Sequence, residues 1–175
     1  GKANTAFQAK LRGKGPLADA YRHEWVSLRL FEAFVGSGGS DAQWLQRLAN
    51  YHDDGWFKRL RADHVQVQPG PFTKQHLPPL AQAVGWLIVS HHRLPTANTN
   101  APGLRALPAM IKSDWCGARS EASDAEKSAC WQFPAGHLPF SSSAWKTRTA
   151  ACAQALLDRP GLLQRAGEML ADPYL

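Results

Sequence analysis

An all-α helical bundle is the fold this sequence predicts. Three observations carry the prediction: apolar residues recur at helical spacing along nearly the whole chain, capping sequences precede several of these stretches, and prolines stand where helices begin. The first helix is read from Leu17, Tyr21, Val26, Leu28, Leu30, Phe31, Phe34 and Val35, which put apolar groups on most of its faces. A helix apolar on most sides is buried. It stops at Gly36, where a missing Cβ permits the left-handed closing conformation. Ser40 with Gln43 forms a capping box for the next helix, made amphipathic by Trp44, Leu45 and Leu48.

A loop is expected over 66–75, through Pro69, Gly70 and Pro71. Pro78 and Pro79 then suit a first helical turn, where an absent N–H costs nothing. The apolar run Ala83 to Val89 alone fits a buried strand or a buried helix. The segment from Pro78 to His92 is too long for a typical strand, so a helix is expected, with Pro95 stopping it. A polar loop follows at 96–103, then a short helix near Leu107 to Lys112. Ser123 with Glu126 caps another helix, and Ser141 to Ser143 cap one running through Trp145, Cys152 and Leu156. Pro160 opens a last helix to Ala171. No repeat or low-complexity tract divides the chain, so residues 1–175 read as one domain, with loops at 66–76 and 96–104 as excursions from it.

At 175 residues a single domain buries roughly 70% of its unfolded surface. With 44% apolar and 19% charged residues, the chain is no disordered polyelectrolyte. Its formal net charge of +6 suits an anionic partner such as nucleic acid. Cys116, Cys130 and Cys152 are odd in number and include no C-x-x-C pair, which argues against a disulfide framework and a zinc ribbon and for a reducing, cytoplasmic setting. No apolar run is long enough to span a membrane. The opening GKANTAFQ has no leader pattern and reads as the interior of a longer chain. No phosphate-binding loop for ATP and no nucleophile elbow occur.

The chemistry is sought among the seven histidines. His23 lies in an otherwise apolar helix, as a metal ligand or as a core histidine satisfied by a carbonyl. His91 and His92 close a strongly apolar helix, as metal ligands or as a helix-end pair favoured by the dipole. Helical neighbours point about 100° apart, so this pair is expected to serve two ions, or one ion and a substrate phosphate, rather than chelate one ion side by side. His52-Asp53-Asp54-Gly55 spells the start of an H-D-x-G signature, but Trp56 follows where that signature has lysine, and the stretch reads as a polar turn. His64, His76 and His137 fall in loop-like stretches and read as structural or solvent-exposed.

Arg22-His23-Glu24-Trp25-Val26-Ser27-Leu28-Arg29-Leu30-Phe31, and later Ala83 through Ser90-His91-His92-Arg93-Leu94-Pro95, resemble the HD nuclease domain of the type I-F CRISPR helicase–nuclease. Gly1-Lys2-Ala3 resembles the tail of that family's H-D-x-G-K signature, and Cys130-Trp131-Gln132-Phe133-Pro134 is also similar to the subtype. The resemblance implies an HD-domain-like bundle with His23, His91 and His92 as metal ligands and Lys2 near the scissile phosphate. Arg22, Lys74 and Arg93 are the expected DNA contacts, and the basic loops that carry Lys74 and Arg93 fit contact with a protein as well. It implies divalent manganese, nickel, cobalt or iron, two ions in the complete domain, with ATP used only by a separate helicase part. Its implied partners are single-stranded DNA, the RNA-guided surveillance complex, the adaptation integrase and a phage anti-CRISPR protein. In the family, the His-Asp pair precedes the residue matching Gly1 and a closing Asp lies beyond Leu175, so the isolated chain is expected to be inactive. Two rival readings are a nucleotide phosphohydrolase with similar ligands in a closed pocket and a non-catalytic helical module that docks on the surveillance complex.

Overall fold

The structure is a computed structural model that describes residues 1–51, 53–65, 70, 72, 77–92 and 115–172. Among them are seven α-helices and no strand, so the expected all-α bundle is what forms. In chain order they are α1 (Thr5–Leu11), α2 (His23–Val35), α3 (Asp41–Asn50), α4 (Pro79–Ser90), α5 (Asp124–Ala129), α6 (Ser143–Leu157) and α7 (Pro160–Ala171). Two 3-10 turns, Trp56–Arg59 and Pro139–Ser141, also occur among the described residues. No helix among the described residues is long and apolar enough to cross a membrane.

Local chemistry sets most helix starts. Ser40 accepts from the Gln43 N–H at 3.4 Å while the Gln43 side chain accepts from the Ser40 N–H at 2.8 Å. Ser123 and Glu126 form the same reciprocal box ahead of α5. Ser142 caps α6 by accepting from the Trp145 N–H. Pro79 and Pro160 occupy first helical positions in α4 and α7. Gly36 ends α2 with φ 72 and ψ 164, a positive φ that glycine takes freely, though not the left-handed helical conformation expected there.

Two expected boundaries move. The helix read from Leu17 begins at His23. The Arg22 N–H is committed to the Cys116 carbonyl at 3.0 Å, which holds the approach extended. Leu17 is 94% exposed, whereas Tyr21 reaches the core from outside the helix. α4 stops at Ser90 rather than His92, with His91 as its cap residue. The loop expected at 96–104, the short helix at Leu107–Lys112, His52, His76, Lys74 and Arg93 lie outside the described residues, as does most of 66–76.

α2 is the central rod, with α4 and the Trp56–Arg59 turn packed on it. α3 packs on α6, and α7 on α4. One apolar cluster joins Val26, Leu28, Val89, Trp115, Cys130 and Trp131; the other joins Phe34, Trp44, Leu45, Trp56, Leu77 and Ala153. Fully burying each such large side chain is worth about 1.5–3 kcal/mol. α2 and α4 approach closely because Gly85 lacks a side chain: a Cβ there would lie 3.0 Å from Leu28 Cδ1. α2 also buries charge. Arg29, 8% exposed, bridges Glu32 at 2.8 Å and Asp63 at 3.0 Å, and Asp63 also accepts from Trp25 Nε1 at 2.6 Å. This network straps the segment after the Trp56–Arg59 turn onto α2.

Candidate metal centre

His23 is the first residue of α2, and His91 and His92 follow directly on the last residue of α4. Because α2 and α4 pack together, these two helix ends meet. The His23 ring lies 5.6 Å from that of His91 and 5.1 Å from that of His92, and the latter two are 4.0 Å apart. One ligand nitrogen from each lies within 4.8 Å of the others. Nitrogens bound to one tetrahedral ion through bonds of about 2.0–2.1 Å sit about 3.4 Å apart, so the rings would have to draw together by up to about 1.4 Å to share one. His91 and His92 lie in the turn that follows α4, His91 with a helical φ of −64 and ψ of −15, and their rings stay 4.0 Å apart.

The hydrogen bonding suits metal ligation. His91 Nδ1 is 2.7 Å from the Ile88 carbonyl oxygen, which fixes a proton on Nδ1 and leaves the lone pair on Nε2. His23 Nδ1 is 3.2 Å from Glu24 Oε2. His23 Nε2 is buried and has no hydrogen-bond partner. An orphaned buried nitrogen costs about 1–3 kcal/mol, and a cation beside it would remove that cost. Burial above all pushes the His23 pKa down to about 4; Glu24 pulls it up, while Lys2, His92 and His91 push it further down. The ring is therefore neutral near neutral pH, the form that binds a metal.

Glu24 is 2% exposed. Burial alone would raise its carboxyl, but hydrogen bonds from its own main chain and from Arg22, together with the Arg22 and His23 charges, hold it below the ordinary value. The Arg22 side chain, 31% exposed, donates from Nε to Glu24 Oε1 at 2.7 Å and pairs with the same oxygen through a terminal nitrogen. Lys2 is exposed, lines the cavity beside the histidines, and accepts at its carbonyl from Gln8 Nε2. Gly1 packs on the main chain of His23, where a Cβ would fall 1.8 Å from the carbonyl oxygen. Its nitrogen donates to Ser27 Oγ at 2.6 Å, and that hydroxyl donates on to the His23 carbonyl at 2.9 Å.

A cavity of about 1000 Å³ opens beside the cluster, lined by Lys2, His23 and His91 together with Phe31, Phe140 and Trp145 among others. The remaining histidines stand outside the three-histidine cluster or lie outside the described residues. His64 lies beside Tyr21 with a buried, unpartnered Nδ1, and His137 is an exposed residue at the cavity wall. Asp53 accepts from the Gly55 N–H, and Asp54 pairs with Arg47 and Arg59, which makes this stretch a turn. Glu24 and Ser27 went unnoticed in the sequence; the available signal for Glu24 was a carboxylate immediately following a candidate ligand histidine.

The fold and the site together define an all-α protein with three imidazoles gathered at the meeting point of two helix ends. Over its whole length the chain is 61% identical to part of the CRISPR-associated nuclease/helicase Cas3 subtype I-F/YPEST of Pseudomonas aeruginosa strain UCBPP-PA14. Over 93% of its length it is 36% identical to the protein of the same name from Pectobacterium atrosepticum. The chain spans 16% of each relative's length. No protein-family model matches the chain.

Proposed function

We propose that this chain is the three-histidine part of a metal-dependent HD-type nuclease domain, within a helicase–nuclease that degrades DNA in CRISPR interference. The observation that carries the reading is the convergence of His23, His91 and His92, with an orphaned His23 Nε2 facing no protein partner. The similarity to two proteins named nuclease/helicase supports a nuclease role for the parent protein. The Nε2 atoms of His23 and His91, with one nitrogen of His92, would hold a divalent ion of manganese, nickel, cobalt or iron; the complete domain would hold two. Such ions supply Lewis acidity to a phosphate and a nucleophile at neutral pH.

The chain's own groups do the rest. Lys2, exposed at the cavity, offsets the charge of the scissile phosphate. Arg22 keeps one edge on Glu24 and offers the rest of its guanidinium to a neighbouring phosphate. Lys74 and Arg93, outside the described residues, are the further DNA contacts of this reading. Single-stranded DNA is the substrate, delivered by the ATP-driven helicase part after the RNA-guided surveillance complex opens the duplex. The adaptation integrase and phage anti-CRISPR proteins are the further partners of this reading, and the cytoplasm its setting.

The test uses the full-length protein, Mn²⁺ or Ni²⁺, and circular single-stranded DNA. The wild type is expected to degrade the circle and a His91→Ala, His92→Ala variant to leave it intact. Equal degradation by both removes the histidine pair from the mechanism. Hydrolysis of mononucleotides with no activity on the circle favours a nucleotide phosphohydrolase instead.

A further inference from the structure

A carboxylate is kept from water only when its oxygens are satisfied. Glu24, 2% exposed, divides its oxygens between two groups. Oε1 accepts from Arg22 Nε at 2.7 Å, and Oε2 lies 3.2 Å from His23 Nδ1. The other nitrogen of that ring, Nε2, is buried with no partner, and the ring itself lies 5.6 Å from that of His91 and 5.1 Å from that of His92. An imidazole whose Nδ1 proton faces a carboxylate carries its lone pair on Nε2. The same polarity is set at His91 by a main-chain carbonyl, from Ile88 at 2.7 Å.

We propose that Glu24 is a positioning residue for the metal centre: it holds His23 in the tautomer whose Nε2 points at the cluster, and Arg22 holds Glu24. The inference rests on the three-histidine reading above and adds to it a charged support behind one ligand. A carboxylate behind a ligand imidazole fixes the ring and raises its basicity, and losing such support typically weakens metal binding about 10–100-fold.

Arg22 is itself anchored. Its N–H is bound by the Cys116 carbonyl, and its side-chain stem lies against Gly117. A Cβ at Gly117 would fall 2.3 Å from Arg22 Cγ, and this glycine has φ +62. The support therefore runs from Gly117 through Arg22 and Glu24 to His23. It also explains why a glutamate stands inside an otherwise apolar face of α2.

The experiment measures Co²⁺ affinity and the visible Co²⁺ spectrum of the full-length protein, with thermal unfolding of the metal-free form as the control for folding. Glu24→Leu, which removes the acceptor, is expected to weaken Co²⁺ binding about 10–100-fold and to alter the spectrum. Glu24→Gln keeps an acceptor oxygen without the charge, and is expected to recover much of that loss at an unchanged melting temperature. Where Glu24→Leu does not fold, Glu24→Gln decides: a weaker affinity supports the assignment, and wild-type affinity overturns it. Weakened binding in His23→Gln with wild-type binding and spectrum in Glu24→Leu overturns this inference alone. A wild-type protein that binds no Co²⁺ overturns the metal reading and this inference with it.

Discussion

Asp41, in the first turn of α3, reaches across to cap α4 at Leu80. Its Oδ2 accepts from the Leu80 N–H at 2.8 Å and its Oδ1 from the Ala81 N–H at 3.0 Å. Oδ1 also accepts from Trp44 Nε1 at 2.8 Å. The first-turn N–H groups of α4 would otherwise be orphaned, and Pro78 and Pro79 cannot supply a side-chain cap. One buried carboxylate thus fixes the start of the helix whose far end presents His91 and His92.

Asp41→Ala removes three hydrogen bonds and leaves buried donors behind. It is expected to destabilise the fold by about 2–4 kcal/mol, since a lost cap costs about 0.5–2 kcal/mol and a stranded buried donor about 1–3 kcal/mol. Urea unfolding checks this. A loss below about 0.5 kcal/mol would show that water replaces the carboxylate.

Gly85→Val tests the close approach of α2 and α4. Its Cβ would press on Leu28 Cδ1 at 3.0 Å and Phe72 Cε1 at 3.3 Å. Overpacking of this kind costs about 1–3 kcal/mol. The helices should separate, and any metal affinity of the full-length protein should fall with stability, because His23 sits on one helix and the histidine pair at the end of the other.

Glu32 gives a pH dependence away from the histidines. Burial raises its pKa to about 7; the charge and hydrogen bond of Arg29 oppose the rise, and Asp63 adds to it. A carboxyl with a raised folded pKa binds more protons folded than unfolded between the ordinary value of 4.5 and about 7. Its contribution to stability therefore falls as pH rises through that window. Glu32→Gln should flatten the decline in a series of melting temperatures from pH 4.5 to pH 7. An unchanged slope would assign the decline to other groups.

Divalent metal should stabilise the folded protein. At a free concentration one hundred times the dissociation constant, binding to one site adds about 2.7 kcal/mol. Mn²⁺ is expected to raise the melting temperature of the full-length protein, with most of that rise lost in His23→Ala and in His91→Ala. Identical shifts in wild type and both variants would place the ion elsewhere.

Helix starts were legible where a few adjacent residues determine them. Ser40 with Gln43, Ser123 with Glu126, Ser142, Pro79 and Pro160 all act within one turn. The start of α2 was not, because the Cys116 carbonyl, distant in sequence, holds the Arg22 N–H. α1 drew no notice either: it has seven residues, and its cap, Asn4, is fixed partly from elsewhere in the fold. The three histidines could be picked out singly, but their meeting depends on the packing of α2 against α4, which no local pattern shows. Asp41 and Asp63 resemble surface acids in the sequence, and only tertiary packing reveals the partners that tie them to α4 and α2; Glu24 has its partners, Arg22 and His23, beside it in the chain.

Asn4 carries a consequence for how the chain reaches this state. Its Oδ1 accepts from the Phe7 N–H, while its Nδ2 donates to the Cys130 carbonyl, 126 residues away. During synthesis at about 5–20 residues per second, the cap of α1 waits several seconds for its second anchor to be made. α1 therefore stays an unlatched segment until translation has passed Cys130, and a ribosome stalled before that residue should leave it open to protease.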